Sequence, residues 1–417
     1  MLFFPKLPVG LLTILVLASE THGKATSSPK PPGLVDLGYA KHVPTNNCIS
    51  SAPAGAPFPP YNGTTWGQED CLFLAVWVPE GIRPGHSVPV LHWFVGSAFA
   101  FGSKEMLGVP GWAYLPGEDM TANLGMHDCL AAAEWTSKFI GWFGGGPDRV
   151  TIMGQSAGAG IIGLLTVLNG GKGKLPFQQA FISSPDIPPR RNLIDRQKRL
   201  FQMILDEANC TALRCLRDSP QETMLRLNQH FINEVPGDAG GGVFGPAPGF
   251  GPVVDRSFIP DMPLVLFKQG RYHKELGSFI VGSVANEGMG LSHETDMPEY
   301  FPTLVRQILP NASSETTADI QRYILSAPPA VHGQDAFYYF HVDQNTTPVE
   351  DIEVAKAFQR NLLWFINGRK MDWPVDGGDK QFINVTAIGF ETGSVLAALQ
   401  ARCEMINRVL LNPANGL

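Results

Sequence analysis

The sequence predicts an α/β protein: a mostly parallel central sheet with helices on both faces. The first observation is a set of short apolar runs closed by Gly and Pro turns, the signature of buried strands. They are "CLFLAVWVP" (Cys71–Pro79), "VPVLHWFV" (Val88–Val95), "RVTIM", "FQQAFISSP" and "GSFIVGSVANEG". The second is helical patterning between several of them, at about Met126–Phe143 and in "GAGIIGLLTVLNG". Strands alternating with helices bury both faces of a sheet. The third is bulk: 417 residues, 44% hydrophobic and 17% charged, allow a large core.

Composition also excludes partners. A net charge of −7 with no basic stripe gives nucleic acid nothing to bind. Past the N-terminus no run of 18 or more apolar residues would span a membrane.

From the N-terminus, Lys6 precedes "LPVGLLTILVLA" (Leu7–Ala18) and the small, polar "SETHGK". A positive charge followed by a short apolar stretch reads as a secretory signal over 1–23, leaving 24–417 as a single domain. Sequons at Asn62, Asn209, Asn311, Asn345 and Asn384 agree with an extracellular glycoprotein. In an oxidising compartment the six cysteines invite pairing. Cys210 and Cys215 could close a small loop, and Cys48 and Cys71 bracket a Pro-rich turn region. Cys129 and Cys403 remain, and spacing alone leaves the connectivity open. "VPGDAGGGVFGPAPGFGP" (Val235–Pro252) reads as a surface loop, and "FYYFHV" is strand-like.

"RVTIMGQSAGAG" (Arg149–Gly160) carries the chemistry. A strand that turns sharply into a helix holds Ser156 at a strained bend, so residues two before and two after must lack bulk. Gly154 and Gly158 meet that demand. Chain order then asks for an acid followed by a histidine. Glu287 lies just beyond the strand-like "GSFIVGSVAN", with Asp186 in "SSPDIPP" as its rival. Of His230, His273, His293, His332 and His341, His332 in the Pro-punctuated "SAPPAVHGQD" is best presented as a base.

These stretches resemble the type-B carboxylesterase/lipase family, relatives of the cholinesterases, and especially its secreted fungal members. "EDCLFLAVWVP" is similar to the family's second signature, which implies that Cys71 pairs with Cys48. "FGGGPDRVTIMGQSAGAG" resembles its active-site signature, with Gln155 in place of the usual Glu. "NLGMHDC", "FGPVVDRSFIPDMP" and "VGSVANEG" match further segments, and "PPAVHGQD" resembles the histidine loop. The resemblance implies an α/β-hydrolase fold and ester cleavage through an acyl-serine, without metal or organic cofactor. Ser156 would be the nucleophile, His332 the base and Glu287 its orienting acid. Backbone N–H groups of Ser97, Ala98 and Ala157 would form the oxyanion hole.

The departures from the family are also informative. Its three oxyanion-loop glycines align with "VGSAF", so Ser97 and Ala98 stand where glycines would be. If either position needs φ > 0, a side chain costs about 1–2 kcal/mol or displaces the donor. Between Ser103 and Asn123 there is no room for a strand that the fold inserts between "CLFLAVWVP" and "VPVLHWFV". The first N-terminal hairpin is also missing. A fold lacking one core strand is therefore expected. Either the flanking strands pair directly, or water enters the sheet, or the chain folds poorly. These losses motivate a second reading, a secreted binding protein on a catalytically impaired scaffold, and a third, a truncated gene product.

Overall fold

The computed structural model describes residues 13–16, 48–52, 63–72, 74–79, 81–96, 98–100, 108–186, 194–235, 250–284, 287, 335–345, 347–369, 381–386, 389–394 and 408. The chain divides into two compact units. One comprises Val9–Gly282 with Leu291–His293, and the other Met1–Pro8, Ser283–Gly290 and Glu294–Leu417.

In the first unit the strands are β1 (Thr13–Val16), β2 (Ser50–Ser51), β3 (Thr65–Trp66), β4 (Ala75–Trp77), β5 (Val88–Phe94), β6 (Gly145–Gln155), β7 (Gln179–Ser183) and β8 (Ser278–Gly282). The helices are α1 (Gly108–Trp112), α2 (Leu124–Phe139), α3 (Ala157–Leu165), α4 (Ile194–Glu207), α5 (Leu213–Arg217), α6 (Gln221–Asn233) and α7 (Pro263–Lys268). Six strands form one sheet in the order β4-β1-β5-β6-β7-β8. From β5 to β8 every pairing is parallel, as the alternating pattern predicts. β5 is buried along nearly its whole length, which explains why "VPVLHWF" shows no polar alternation. All nine residues of α3 are buried, so this helix is apolar all round. At the far end, β8 leaves Phe279 and Val281 exposed.

The missing-strand expectation has an unforeseen resolution. The position between β4 and β5 is filled, and the strand that fills it is Thr13–Val16, from the stretch read as a secretory signal. It runs parallel to β4, with Ile14 opposite Val76, and antiparallel to β5, with Leu15 opposite Leu91.

Two stretches that carry the family resemblance clasp each other. Asn123, in the left-handed region at φ 59°, accepts from Val253 N–H at 2.8 Å. Its amide donates to Val253 O at 3.0 Å and to Asp255 Oδ2 at 2.8 Å. Disulfides Cys48–Cys71 and Cys210–Cys215 are both present, while Cys129 lies buried on α2 outside either bridge. Cys403 lies outside the described residues. Asn209, Asn345 and Asn384 are exposed; Asn62 and Asn311 fall outside the described residues.

The second unit contains α8 (Asp335–Tyr339), α9 (Ile352–Ile366) and an antiparallel hairpin of β9 (Gln381–Thr386) and β10 (Gly389–Ser394). The strand-like reading of "FYYFHV" is corrected here, since its first part is helical. Tyr339 is fully buried, with its ring 4.7 Å from Phe340 and 5.8 Å from Phe358 of α9. That packing overrides the β-preference of an aromatic run. The Asp351 carboxylate caps α9 by accepting from Glu353 N–H at 2.8 Å.

β5 also carries a buried histidine. Thr136 donates its hydroxyl to Ala132 O, so it accepts from His92 Nδ1–H at 3.0 Å, which fixes the tautomer. The other ring nitrogen has no partner among the described residues. Burial lowers the His92 pKa to about 3, so the folded ring is neutral. Because the folded value lies below the unfolded one, this contribution to stability is complete above pH 6.5 and is lost as pH falls towards 3. The loss should be about 1.4 kcal/mol per pH unit in that window. Urea midpoints measured from pH 7 to 4.5 should fall more steeply in the native chain than in His92→Leu; equal slopes would remove the assignment.

Candidate active site

Three neighbouring parallel strands deliver their C-terminal ends to one edge of the sheet, where ligands of open α/β sheets bind. β5 leads to Gly96, β6 to Ser156, and β7 to Ser183–Asp186. Ser156 sits between the end of β6 and the first turn of α3, at φ 56° and ψ −127°. This is the strained elbow predicted from the glycine spacing. Its main chain is clamped on both sides. Ser156 N–H donates to Ser183 O at 3.0 Å, while Ser156 O accepts from Gly160 N–H at 2.9 Å and Asp186 N–H at 3.1 Å.

The glycines are there because neighbouring backbone leaves no room for Cβ. A Cβ on Gly158 would stand 2.3 Å from Phe94 O, and one on Gly154 would stand 2.7 Å from the Gly158 carbonyl carbon. The sequence reading assigned no role to Gly160, yet its Cβ would be 1.9 Å from Asp186 O. Gly96 is equally constrained, since a Cβ there would meet Gln155 O at 2.6 Å and Ser156 Cβ at 3.0 Å. The loop after β5 therefore runs directly against Ser156. Ala157, buried at the first turn of α3, presents its N–H where the helix dipole favours negative charge.

The loop after β5 does adopt a conformation that glycine would favour. Ala98 has φ 52° and Phe99 φ 61°, both in the left-handed region. Ser97 lies outside the described residues. A further residue missed from sequence is Ser184, which follows β7 at φ 48°. Its buried hydroxyl has no partner among the described residues. Nothing in a run of small polar residues announces such a backbone.

The remaining candidates are distributed as follows. The Glu287 carboxylate accepts from Val284 N–H at 2.9 Å, which ties down the loop that follows β8 in sequence. Asp186, the rival acid, is exposed and contributes its backbone N–H to the Ser156 clamp. His332 and His293 lie outside the described residues. The other histidines after the serine have structural partners: His230 with Glu234 at 2.6 Å, His273 with Glu275 at 2.9 Å, and His341 with Thr347 O at 2.8 Å. Among the described residues no group of acidic, histidine or cysteine side chains could hold a metal ion.

Two substitutions test this geometry. Gly158→Ala should destabilise the fold by about 3 kcal/mol in urea unfolding, because the clash is with backbone that cannot rotate away. Ala98→Gly should stabilise it by about 1 kcal/mol by relieving a left-handed alanine. A loss of stability on Ala98→Gly would mean the loop does not hold that conformation in solution.

Comparison with known proteins agrees with this architecture. A model of the carboxylesterase family matches residues 40–108 and 106–319. A carboxylesterase from Penicillium expansum, patB, is 30% identical over 320 residues, covering 67% of this chain and 54% of that protein. Lipase 1 of Geotrichum candidum is 28% identical over 355 residues, covering 75% of this chain and 60% of its own. The chain thus spans a little over half the length of these relatives. The crystal structure of Aspergillus niger EstA superposes with a TM-score of 0.69 over 87% of each chain, at 17% identity, which supports the shared fold. With the elbow, the clamped serine and the family match together, the chain belongs to the carboxylesterase family.

Proposed function

We propose that this protein hydrolyses carboxylic esters through an acyl-serine intermediate. The observation that carries the proposal is Ser156 itself, held at φ 56° between a buried strand and the N-terminus of an apolar helix. In the proposed reaction Ser156 Oγ attacks the ester carbonyl and its proton passes to His332. Glu287 holds the imidazole in the required tautomer and stabilises the imidazolium. N–H groups of Ser97, Ala98 and Ala157 receive the negative charge of the tetrahedral intermediate. Collapse expels the alcohol, which takes the proton from His332. Water, deprotonated by the same imidazole, then attacks the acyl-serine and releases the acid.

Small-molecule or lipid esters are the proposed substrates, in keeping with relatives named carboxylesterase and lipase. An extracellular setting is supported by the two disulfides, by exposed sequon asparagines, and by a similar protein of Gibberella zeae named a secreted triacylglycerol lipase. No described helix is long and apolar enough to cross a membrane.

An organophosphonate should label Ser156, as read by peptide mass spectrometry. Hydrolysis of a short-chain chromogenic ester should fall roughly 10³-fold or more in Ser156→Ala and in His332→Ala, and roughly 10²-fold or more in Glu287→Gln. Folded protein that takes no label and does not hydrolyse the ester would reject catalysis and leave a binding scaffold, whereas activity unchanged in Ser156→Ala would reject Ser156 as the nucleophile.

A further inference from the structure

The edge of the sheet opposite Ser156 carries a surface that the proposed reaction does not use. β7 and β8 run parallel to β6, and Ser156 follows the end of β6. The chain entering β7 and β8 therefore lies at the other edge, about 15 Å away along five strand residues. Two segments meet there: residues 171–174, which precede β7, and residues 263–277, formed by α7 and the turn into β8. His273 N–H donates to Thr166 O at 2.8 Å, and a Cβ on Gly171 would stand 2.4 Å from the Tyr272 carbonyl carbon. Their backbones are thus in contact. α7 is one-sided: Pro263 and Leu266 are buried, whereas Leu264 and Phe267 are 40% and 38% exposed. Tyr272, 36% exposed, holds its ring 5.6 Å from that of Phe267.

Basic side chains ring these apolar ones. Lys172, Lys174, Lys268, Arg271 and Lys274 are all exposed. Lys274 Nζ lies 5.9 Å from the Tyr272 ring centroid, and the Arg271 guanidinium lies over Gly170, 3.0 Å from where a Cβ would be. Residues 166–178 and 263–277 together hold these five Lys and Arg against a single acid, Glu275, in a chain whose net charge is −7. Glu275 is itself engaged by His273 at 2.9 Å. A local excess of positive charge around exposed aromatic rings complements an anionic lipid surface. Headgroup charge attracts the Lys and Arg side chains, and the rings enter the interface beneath them. We propose that this face docks the protein on anionic lipid. α7 and the turn after it then lie in the interface, while β6 delivers Ser156 to the edge turned towards water. Docking and the proposed ester cleavage use opposite edges of the sheet, and neither requires the other.

Co-sedimentation of the full-length protein with lipid vesicles tests this without reference to activity. At about 0.1 M salt, phosphatidylcholine vesicles with roughly 30% phosphatidylserine should bind it about tenfold or more tighter than phosphatidylcholine alone. Lys172→Gln with Lys174→Gln should weaken that binding roughly 25-fold, about fivefold for each charge removed. Phe267→Ser with Tyr272→Ser should abolish the binding that survives at about 0.5 M salt, where charge is screened. Lys356→Gln with Arg360→Gln, an equal change of charge at exposed positions of α9, should alter binding by about twofold at most. Equal binding to neutral and anionic vesicles, or equal losses in the two charge pairs, would overturn the proposal. So would retention on heparin without vesicle binding, which would assign the basic side chains to an anionic polysaccharide.

Discussion

The contact on which the site depends is the approach of one backbone to another where β5, β6 and α3 meet. Gly158 lies so close to the carbonyls ending β5 that no side chain fits between them. That closeness lets a strand turn into a helix within one residue, and Ser156 is that residue. The strain at Ser156 is held by three main-chain hydrogen bonds, from the end of β7, from α3 and from Asp186. A strained conformation persists only where its surroundings over-determine it. Here packing of glycines fixes the bend, the bend sets the backbone of Ser156, and the helix behind supplies a positive end.

This explains which parts were legible in sequence. The elbow could be read because steric exclusion writes itself as glycine at fixed offsets. The parallel strands could be read because a strand covered on both faces must be apolar throughout. The clasp of Asn123 with Val253 and Asp255 shows why two separate stretches both resemble the family: they form one set of hydrogen bonds.

The failures have equally physical causes. An apolar run has no address, so nothing in the composition of this stretch marked Thr13–Val16 as the strand between β4 and β5. "FYYFHV" has strand propensity, but Tyr339 gains more by burying its ring beside α9. Left-handed alanine and phenylalanine at 98 and 99 run against what their side chains favour, so only neighbouring structure discloses them. The loop after β5 therefore holds left-handed backbone without glycine, and bears that strain next to Ser156.

The final strand of the sheet has a consequence of another kind. Among the described residues β8 ends the pairing ladder, and it leaves Phe279 and Val281 exposed. An outer strand with apolar side chains is a template onto which another extended segment can add. Such association grows with the number of copies per volume, whereas unfolding of a single chain does not. Crowding therefore acts on this molecule at the margin of its sheet, where the exposed strand lies.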